Sequence, residues 1–413
     1  MHKRFFLLCL LSGLTLAGYN QTRNLDFYLK EAIQNSPLLN DYNNQIKSAV
    51  SDSLILRAAK KPFVDAKSQL LYAPAYHNFG YDEIVTDQGN YTAVVGVTQS
   101  IFNKKELNNK YSAIDIQKQS LNNSSRISVT ELNKTITDQY ITSYSGFTDF
   151  LFNKNFLELL KKENEIVKQF VKNGIAKQTD YLSLLVEIQS QEILISQLKN
   201  QYRNDLMLLN QLCGLKDSTW YELVDPAVEI KGTPDIKKSP AYIQYKFDSI
   251  RLENEKMAID IKYKPKVNWF ADAGFLTSNP WNFYKHFGYS AGLSLNVPLY
   301  DGKQRGIEKQ KIEFSENTRQ VYKSTYYKQY FQQMQQLDLE LKAMNEISVQ
   351  VENQLKTSEQ LVNTLKDQLE AGIVQMTEYI NAIKNFKTTS RNINLIHIHK
   401  LQVINEMNFL LTQ

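Results

Sequence analysis

The sequence predicts a mixed α and β chain built as two tandem repeats, each pairing two membrane-length strands with one long helical hairpin. Three observations carry this reading: where the prolines fall, how the apolar residues are spaced, and a tract that recurs 198 residues further on. All nine prolines lie at positions 37, 62, 74, 226, 234, 240, 265, 280 and 298, which leaves residues 75–225 and 299–413 without one. Proline inside a helix costs about 3 kcal/mol, so these tracts permit very long helices.

Periodicity argues that the helices form. From Leu337 onward, Leu341, Leu355, Val362 and Leu369 share one heptad position, while Leu337, Met344, Val351 and Leu365 share another, with Ser348 and Ser358 interrupting. This is a coiled-coil seam. Upstream, Phe156, Leu159, Leu160, Ile166, Val167, Phe170 and Val171 fall at helical spacing. Helix from Lys104 to Lys172, or from Lys303 to Ala371, would run about 100 Å at 1.5 Å per residue, longer than a small globule can hold. Each should stop at a glycine, Gly174 and Gly372, because glycine takes the left-handed conformation at a helix end without penalty. Behind each glycine a Thr-acid pair, Thr179-Asp180 and Thr377-Glu378, is expected to cap the returning helix and supply its first-turn carboxylate.

The repeat is read from Asn173-Gly174-Ile175-Ala176-Lys177-Gln178-Thr179-Asp180-Tyr181-Leu182 against Ala371-Gly372-Ile373-Val374-Gln375-Met376-Thr377-Glu378-Tyr379-Ile380. The same shift pairs Tyr91–Asn103 with Tyr289–Asp301, and a shift of 203 pairs Pro37 with Pro240 and Pro62 with Pro265. Matched breakers, strands and turns in register indicate a tandem duplication. The expected organisation is residues 1–18 as a leader, 19–215 as the first repeat with strands near 64–73 and 90–102, 216–238 as a linker, and 239–413 as the second repeat with strands near 266–276 and 288–300.

The strands alternate. Tyr289, Ala291, Leu293, Leu295, Val297 and Leu299 stand against Ser290, Gly292, Ser294 and Asn296, and Val267, Trp269, Ala271, Ala273 and Phe275 stand against Asn268 and Asp272. Each strand has about 9 to 11 residues, the span a tilted strand needs to cross a bilayer. Val267, Trp269, Tyr289, Leu293, Leu295 and Val297 are the expected lipid-facing set. Tyr76, Phe79, Tyr81, Trp281, Phe283, Tyr284 and Phe287 between the strands suit an interfacial girdle. A sheet in lipid must close, and four strands cannot close alone. Two copies or three would serve.

Composition narrows the functions. A net charge of +5 from 48 basic and 43 acidic residues offers no basic block for nucleic acid. Met1 to Arg4 followed by the apolar Phe5 to Gly18 reads as an export signal, with cleavage expected near Ala17 to Asn20. Loss of that segment would remove Cys9 and leave Cys213 without a disulfide partner. Phosphate-loop, zinc-protease, CxxC and nucleophile-elbow motifs are all missing, so no enzymatic function and no cofactor are expected. His397 and His399 sit two apart on one helix and point to different faces, so they cannot share a metal; His77 and His286 lie singly in aromatic loops.

The twin hairpin turns (Gly174 to Tyr181, Gly372 to Tyr379), the strand ending Val297-Pro298-Leu299-Tyr300-Asp301-Gly302 that leads into a long helix, and the closing Leu206 to Leu215 with Leu212-Cys213-Gly214 resemble a TolC-type outer-membrane efflux protein. The resemblance covers nearly all of the chain after the leader. It implies a homotrimer with a twelve-stranded barrel in outer-membrane lipid, continued by an α-helical tunnel through the periplasm. Residues 215–238 would lie on the tunnel's equatorial belt. The turns would form a tip that docks a membrane-fusion adaptor coupled to an inner-membrane pump of the resistance-nodulation-division or ABC type. The tip set is Gly174, Ile175, Ala176, Thr179, Asp180, Gly372, Ile373, Val374 and Thr377.

In the family, acidic rings of the second repeat close the tip. Glu378 takes the first acidic position, whereas the second is Asn381, a departure from a doubled acidic ring. A first-turn Glu is also favoured by the helix dipole alone, by about 0.3 to 1 kcal/mol. Apolar Ile175, Ala176, Ile373 and Val374 at a turn argue for a partner surface, or for packing between the two hairpins. The competing expectation is an exported coiled-coil scaffold of the cell envelope, which would need the heptads but not the strands.

Overall fold

The computed structural model describes residues 23–74, 89–232 and 235–412. The proposed leader and the loop holding Tyr76, His77, Phe79 and Tyr81 lie outside them. In chain order the elements are α1 (Leu25–Asn35), α2 (Pro37–Ala58), β1 (Phe63–Tyr72), β2 (Gly89–Ile101), α3 (Lys104–Lys172), α4 (Gln178–Leu212), α5 (Pro240–Lys262), β3 (Lys266–Thr277), β4 (Phe287–Asn296), α6 (Gln304–Glu370) and α7 (Met376–Thr412). The shift of 198 carries β2, α3 and α4 onto β4, α6 and α7, and the shift of 203 carries α2 and β1 onto α5 and β3.

Local chemistry sets most helix starts. Asn24 Oδ1 accepts the Phe27 N–H at 3.0 Å ahead of α1, and Asn103 Oδ1 accepts the Lys105 N–H at 2.9 Å ahead of α3. Ser239 Oγ accepts the Tyr242 N–H at 3.1 Å, with Pro240 opening α5 where its missing N–H is not needed. Asp301 accepts from Lys303 N and Arg305 N at 2.9 and 2.8 Å as α6 begins.

Internal packing divides the chain into two compact units, and these are not the two repeats. The first takes the described residues of Met1–Ser36 with Thr130–Gly232 and Met334–Leu410; the second takes Pro37–Val129, Thr233–Gln333 and the last described residues. Each unit therefore draws on both repeats.

The first unit is helical. Tyr28, Ile136, Tyr140, Tyr202, Leu206, Leu209, Cys213 and Leu223 form one buried cluster. The stretch after Leu212 runs without regular structure, and side chains satisfy its backbone: Tyr140 Oη donates to Val224 O at 2.9 Å, Tyr202 Oη to Tyr221 O, and Asn408 Nδ2 to Glu229 O at 2.8 Å. On α6 the heptad positions from Leu337 through Leu365 are half-buried, Leu369 is buried, and their immediate neighbours are mostly exposed. The expected seam is packed within the chain.

The second unit holds the sheet, ordered β1-β2-β3-β4 and antiparallel throughout. Helices α2, α5 and the early turns of α3 and α6 belong with it. Asn109 Nδ2 donates to Asn254 O and Oδ1 at 2.9 and 2.8 Å, and Asn123 Nδ2 to Pro240 O at 2.8 Å. Arg319 forks onto Glu316 at 2.7 and 2.5 Å and donates from Nη1 to Tyr245 O at 3.0 Å.

Two expectations are corrected. β4 ends at Asn296 rather than near 300, so Val297 lies just past the strand. Pro298 has no N–H to give a ladder, which ends the pairing there. The helix after each hairpin glycine starts before its threonine: Lys177 is the N-cap of α4, and Met376 opens α7. Thr179 and Thr377 are thus inside their helices and cap nothing. The first cap is made instead by Asp180, whose Oδ2 accepts the Lys177 N–H at 3.1 Å.

Candidate functional site: a two-faced sheet and a paired-hairpin tip

Register sorts the sheet residues into two faces. Val267, Trp269, Ala271, Ala273 and Phe275 of β3 stand opposite Leu295, Leu293, Ala291, Tyr289 and Phe287 of β4. On the other side they stand opposite Ile101, Gln99, Val97, Val95 and Ala93 of β2, which continue to Val64, Ala66, Ser68 and Leu70 of β1. One face is therefore apolar from edge to edge apart from Ser68, Gln99 and, at the end of β3, Thr277. Gln99 is not a free polar group: its Oε1 accepts the Trp269 indole N–H at 2.9 Å and its Nε2 donates to Lys60 O at 2.6 Å. Tyr289, Leu293 and Leu295 are 89%, 75% and 65% exposed. Nothing among the described residues covers them.

The opposite face carries Asp65, Lys67, Gln69, Thr98, Asn268, Asp272, Ser290, Ser294 and Asn296, with Leu71, Val94 and Leu276 as apolar members. Asp65 and Asp272 flank Gly96 in register, Lys67 Nζ lies 3.4 Å from Asp65, and Ser290 Oγ donates to Asp272 at 2.9 Å. Phe270 was missed by sequence reasoning. It breaks the polar alternation of β3, and its ring fills the space over Gly292, where an added Cβ would come within 2.6 Å. An aromatic out of phase opposite a glycine was the available signal. Among the described residues no helix is long and apolar enough to cross a membrane.

The tip is built by two matching turns. Gly174 and Gly372 have φ of 73° and 71°. Ile175 N donates to Phe170 O and Gly174 N to Val171 O, at 2.9 and 3.1 Å; Ile373 N donates to Gln368 O and Gly372 N to Leu369 O, at 2.9 and 3.0 Å. Both are Schellman closures, which require the left-handed residue. Above them Phe156, Leu160 and Val167 of α3, Leu184 and Ile188 of α4, Leu369 of α6 and Met376, Tyr379 and Ile383 of α7 form one buried cluster. The two hairpins pack on each other, and Val374 joins that packing. Ile175 and Ile373 do not: they remain 49% and 73% exposed.

Glu378 and Asn381 are exposed on one side of α7, while Tyr379 and Ile383 belong to the cluster and Ala382 is buried. Asp180 is half-buried and occupied by its cap. A buried polar set near the tip escaped sequence reasoning. Glu163, 6% exposed, lies 3.3 Å from Lys366 Nζ and beside the Tyr379 phenol, which burial and that carboxylate push well above its ordinary value. Farther along, Gln191 bridges Asn153 and Lys387. His397 and His399 go to separate partners, Asp225 at 2.8 Å and Glu340 at 3.0 Å. Among the described residues no group of His, Cys, Asp and Glu is placed to hold a metal.

No protein-family model and no curated protein matches the sequence. Solved structures do match. CusC, studied for transmembrane channel formation, aligns with a TM-score of 0.77 at 10% identity over 94% of this chain and 92% of its own. The outer membrane protein VceC of Vibrio cholerae aligns at 0.72 and 12% over 94% and 95%. This chain has the TolC-like fold. The open-state MtrE outer membrane channel of Neisseria gonorrhoeae aligns with the same TolC-like fold at 0.72 and 10%, over 94% and 88%. At such identity the likeness is one of architecture rather than of shared side chains.

Proposed function

We propose that the chain is one protomer of an outer-membrane exit duct, passing cargo delivered from the inner membrane or periplasm to the outside. The observation that carries this reading is the sheet: apolar on one face, polar on the other, with β1 and β4 at its open edges. An exposed apolar face of this extent needs lipid, and open edges in lipid need partners. Because the strands alternate in direction, β4 of one copy can pair antiparallel with β1 of the next. Three copies give twelve strands with a polar interior. The neighbours' membership among outer-membrane channels supports the same location. A scaffold would leave the two-faced sheet without a purpose.

The tip extends the proposal. Exposed Ile175 and Ile373, held at fixed turns, form the docking surface for a membrane-fusion adaptor, and an inner-membrane pump of the resistance-nodulation-division or ABC type supplies the energy. Glu378 and Asn381, on the side of α7 this chain leaves uncovered, face the pore in the assembled duct. The duct itself needs no catalytic group or cofactor. Electron microscopy of detergent-extracted outer-membrane particles tests the reading. Threefold particles with a barrel at one end are expected; absence from the outer membrane, or unassembled single chains, would overturn it.

A further inference from the structure

The first unit contains a cavity of about 530 Å³ between α3, α4 and the irregular segment after Leu212. Lys199 and Arg203 line it from α4, one helical turn apart, and Lys154 lines it from α3. None of the three exposed side chains forms a hydrogen bond or ion pair among the described residues. Like charges at that spacing repel, and cations gathered without a counter-ion favour an anion. Glu222 is the one carboxylate in the lining.

The rest of the wall has a different chemistry. Trp220 is half-buried and held edge-to-face by Tyr202 at 4.6 Å and Phe150 at 5.7 Å, which fixes its indole in place. Around it stand the hydroxyls of Ser218 and Thr219, the latter donating to Asp217 Oδ1 at 2.5 Å and left free to accept, with the amide of Asn210 behind them. Asn210 is 1% exposed, its Nδ2 donates to Asp217 O at 2.8 Å, and its Oδ1 is buried without a partner. With no open surface, that acceptor lies behind the cavity wall rather than in it. The wall thus combines a fixed aromatic, short groups that exchange hydrogen bonds with hydroxyls, and unpaired cations.

We propose that this cavity binds an acidic saccharide, a sugar bearing a carboxylate. The sugar ring packs on Trp220, its hydroxyls meet Ser218 and Thr219, and its carboxylate is met by Lys154, Lys199 and Arg203. A peptide carboxylate would satisfy the cations but would leave the hydroxyl-matched wall unused. The site lies within one packed unit and does not depend on the duct reading.

The test is calorimetric titration of the purified full-length protein with glucuronate oligomers, in parallel with neutral glucose oligomers and with oligoglutamate of equal length. Saturable binding of the glucuronate oligomer is expected, with both comparison ligands weaker by about tenfold or more. Lys199→Gln and Arg203→Gln, both at exposed positions, should each weaken it by about threefold or more, while Lys172→Gln outside the cavity leaves it unchanged. No saturable binding would overturn the proposal. Equal affinity for oligoglutamate, or indifference to the two substitutions, would overturn it as well, the first by showing a general polyanion surface and the second by placing the ligand elsewhere.

Discussion

Glu163 keeps its charge almost out of water because Lys366 reaches over it and the Tyr379 phenol lies beside it. Removing the lysine leaves a buried carboxylate uncompensated, so Lys366→Met is expected to destabilise the first unit by about 1 to 3 kcal/mol. Adding Glu163→Gln should return a good part of that loss. Thermal unfolding of the single and double variants checks both. Glu316 behaves differently, since the Arg319 fork holds its carboxyl down at about 2 against an ordinary 4.5. The pair's contribution is therefore fully present above about pH 4.5 and is lost as the pH falls toward 2. Arg319→Gln should lower stability most above pH 4.5, with the gap to the parent closing in acid, measured as unfolding midpoints across that range. Glu316 and Arg319 are three apart on one helix and lie within reach of local sequence reading, whereas Glu163 and Lys366 stand 203 residues apart, and only the packing of one hairpin on the other brings them together.

At the scale of elements, breakers and periodicity were readable because they act through the local chain. α3 covers the Lys104–Lys172 span that proline-free sequence and glycine placement suggested, and the half-buried heptad rows of α6 are those seen in the letters. The caps were less readable. Thr179 looked like a cap, yet the Schellman turn already returns the chain at Lys177, and the acid three residues on supplies the acceptor. The turns themselves can be probed through φ. Gly372→Ala meets no atom within 4 Å, so its cost is the left-handed backbone alone, about 1 kcal/mol. Gly306→Ala, equally open but inside α6, should stabilise by about 0.5 to 1 kcal/mol. Opposite signs from two Gly-to-Ala changes, read by thermal melting, are the expected outcome.

For the whole molecule, the alternation of Leu293 and Leu295 with Ser294 foretold two faces, but which strands lie side by side is a long-range fact that alternation cannot carry. The register now places Leu293 opposite Trp269, with its side chain uncovered by its own chain. Leu293→Asp puts a charge on the proposed lipid side and is expected to prevent membrane assembly, as followed by fractionation; Ser294→Asp, on the polar face, should assemble normally. The tip residues were readable as a repeated motif, whereas their division into packed Val374 and uncovered Ile373 needed the paired hairpins.

The buried thiol of Cys213 offers a way to time local opening of the first unit. It sits at the end of α4 with no exposed surface, and burial pushes it up to about 12, so the reactive thiolate is nearly absent at neutral pH. An alkylating reagent should ignore it until Tyr28, Tyr140 and Tyr202 part around it. Its labelling rate would then act as a clock for opening of this one region. Cysteines introduced at Glu378 or Ile373 would react at once, so a single mass spectrum could separate an accessible tip from a loosened core.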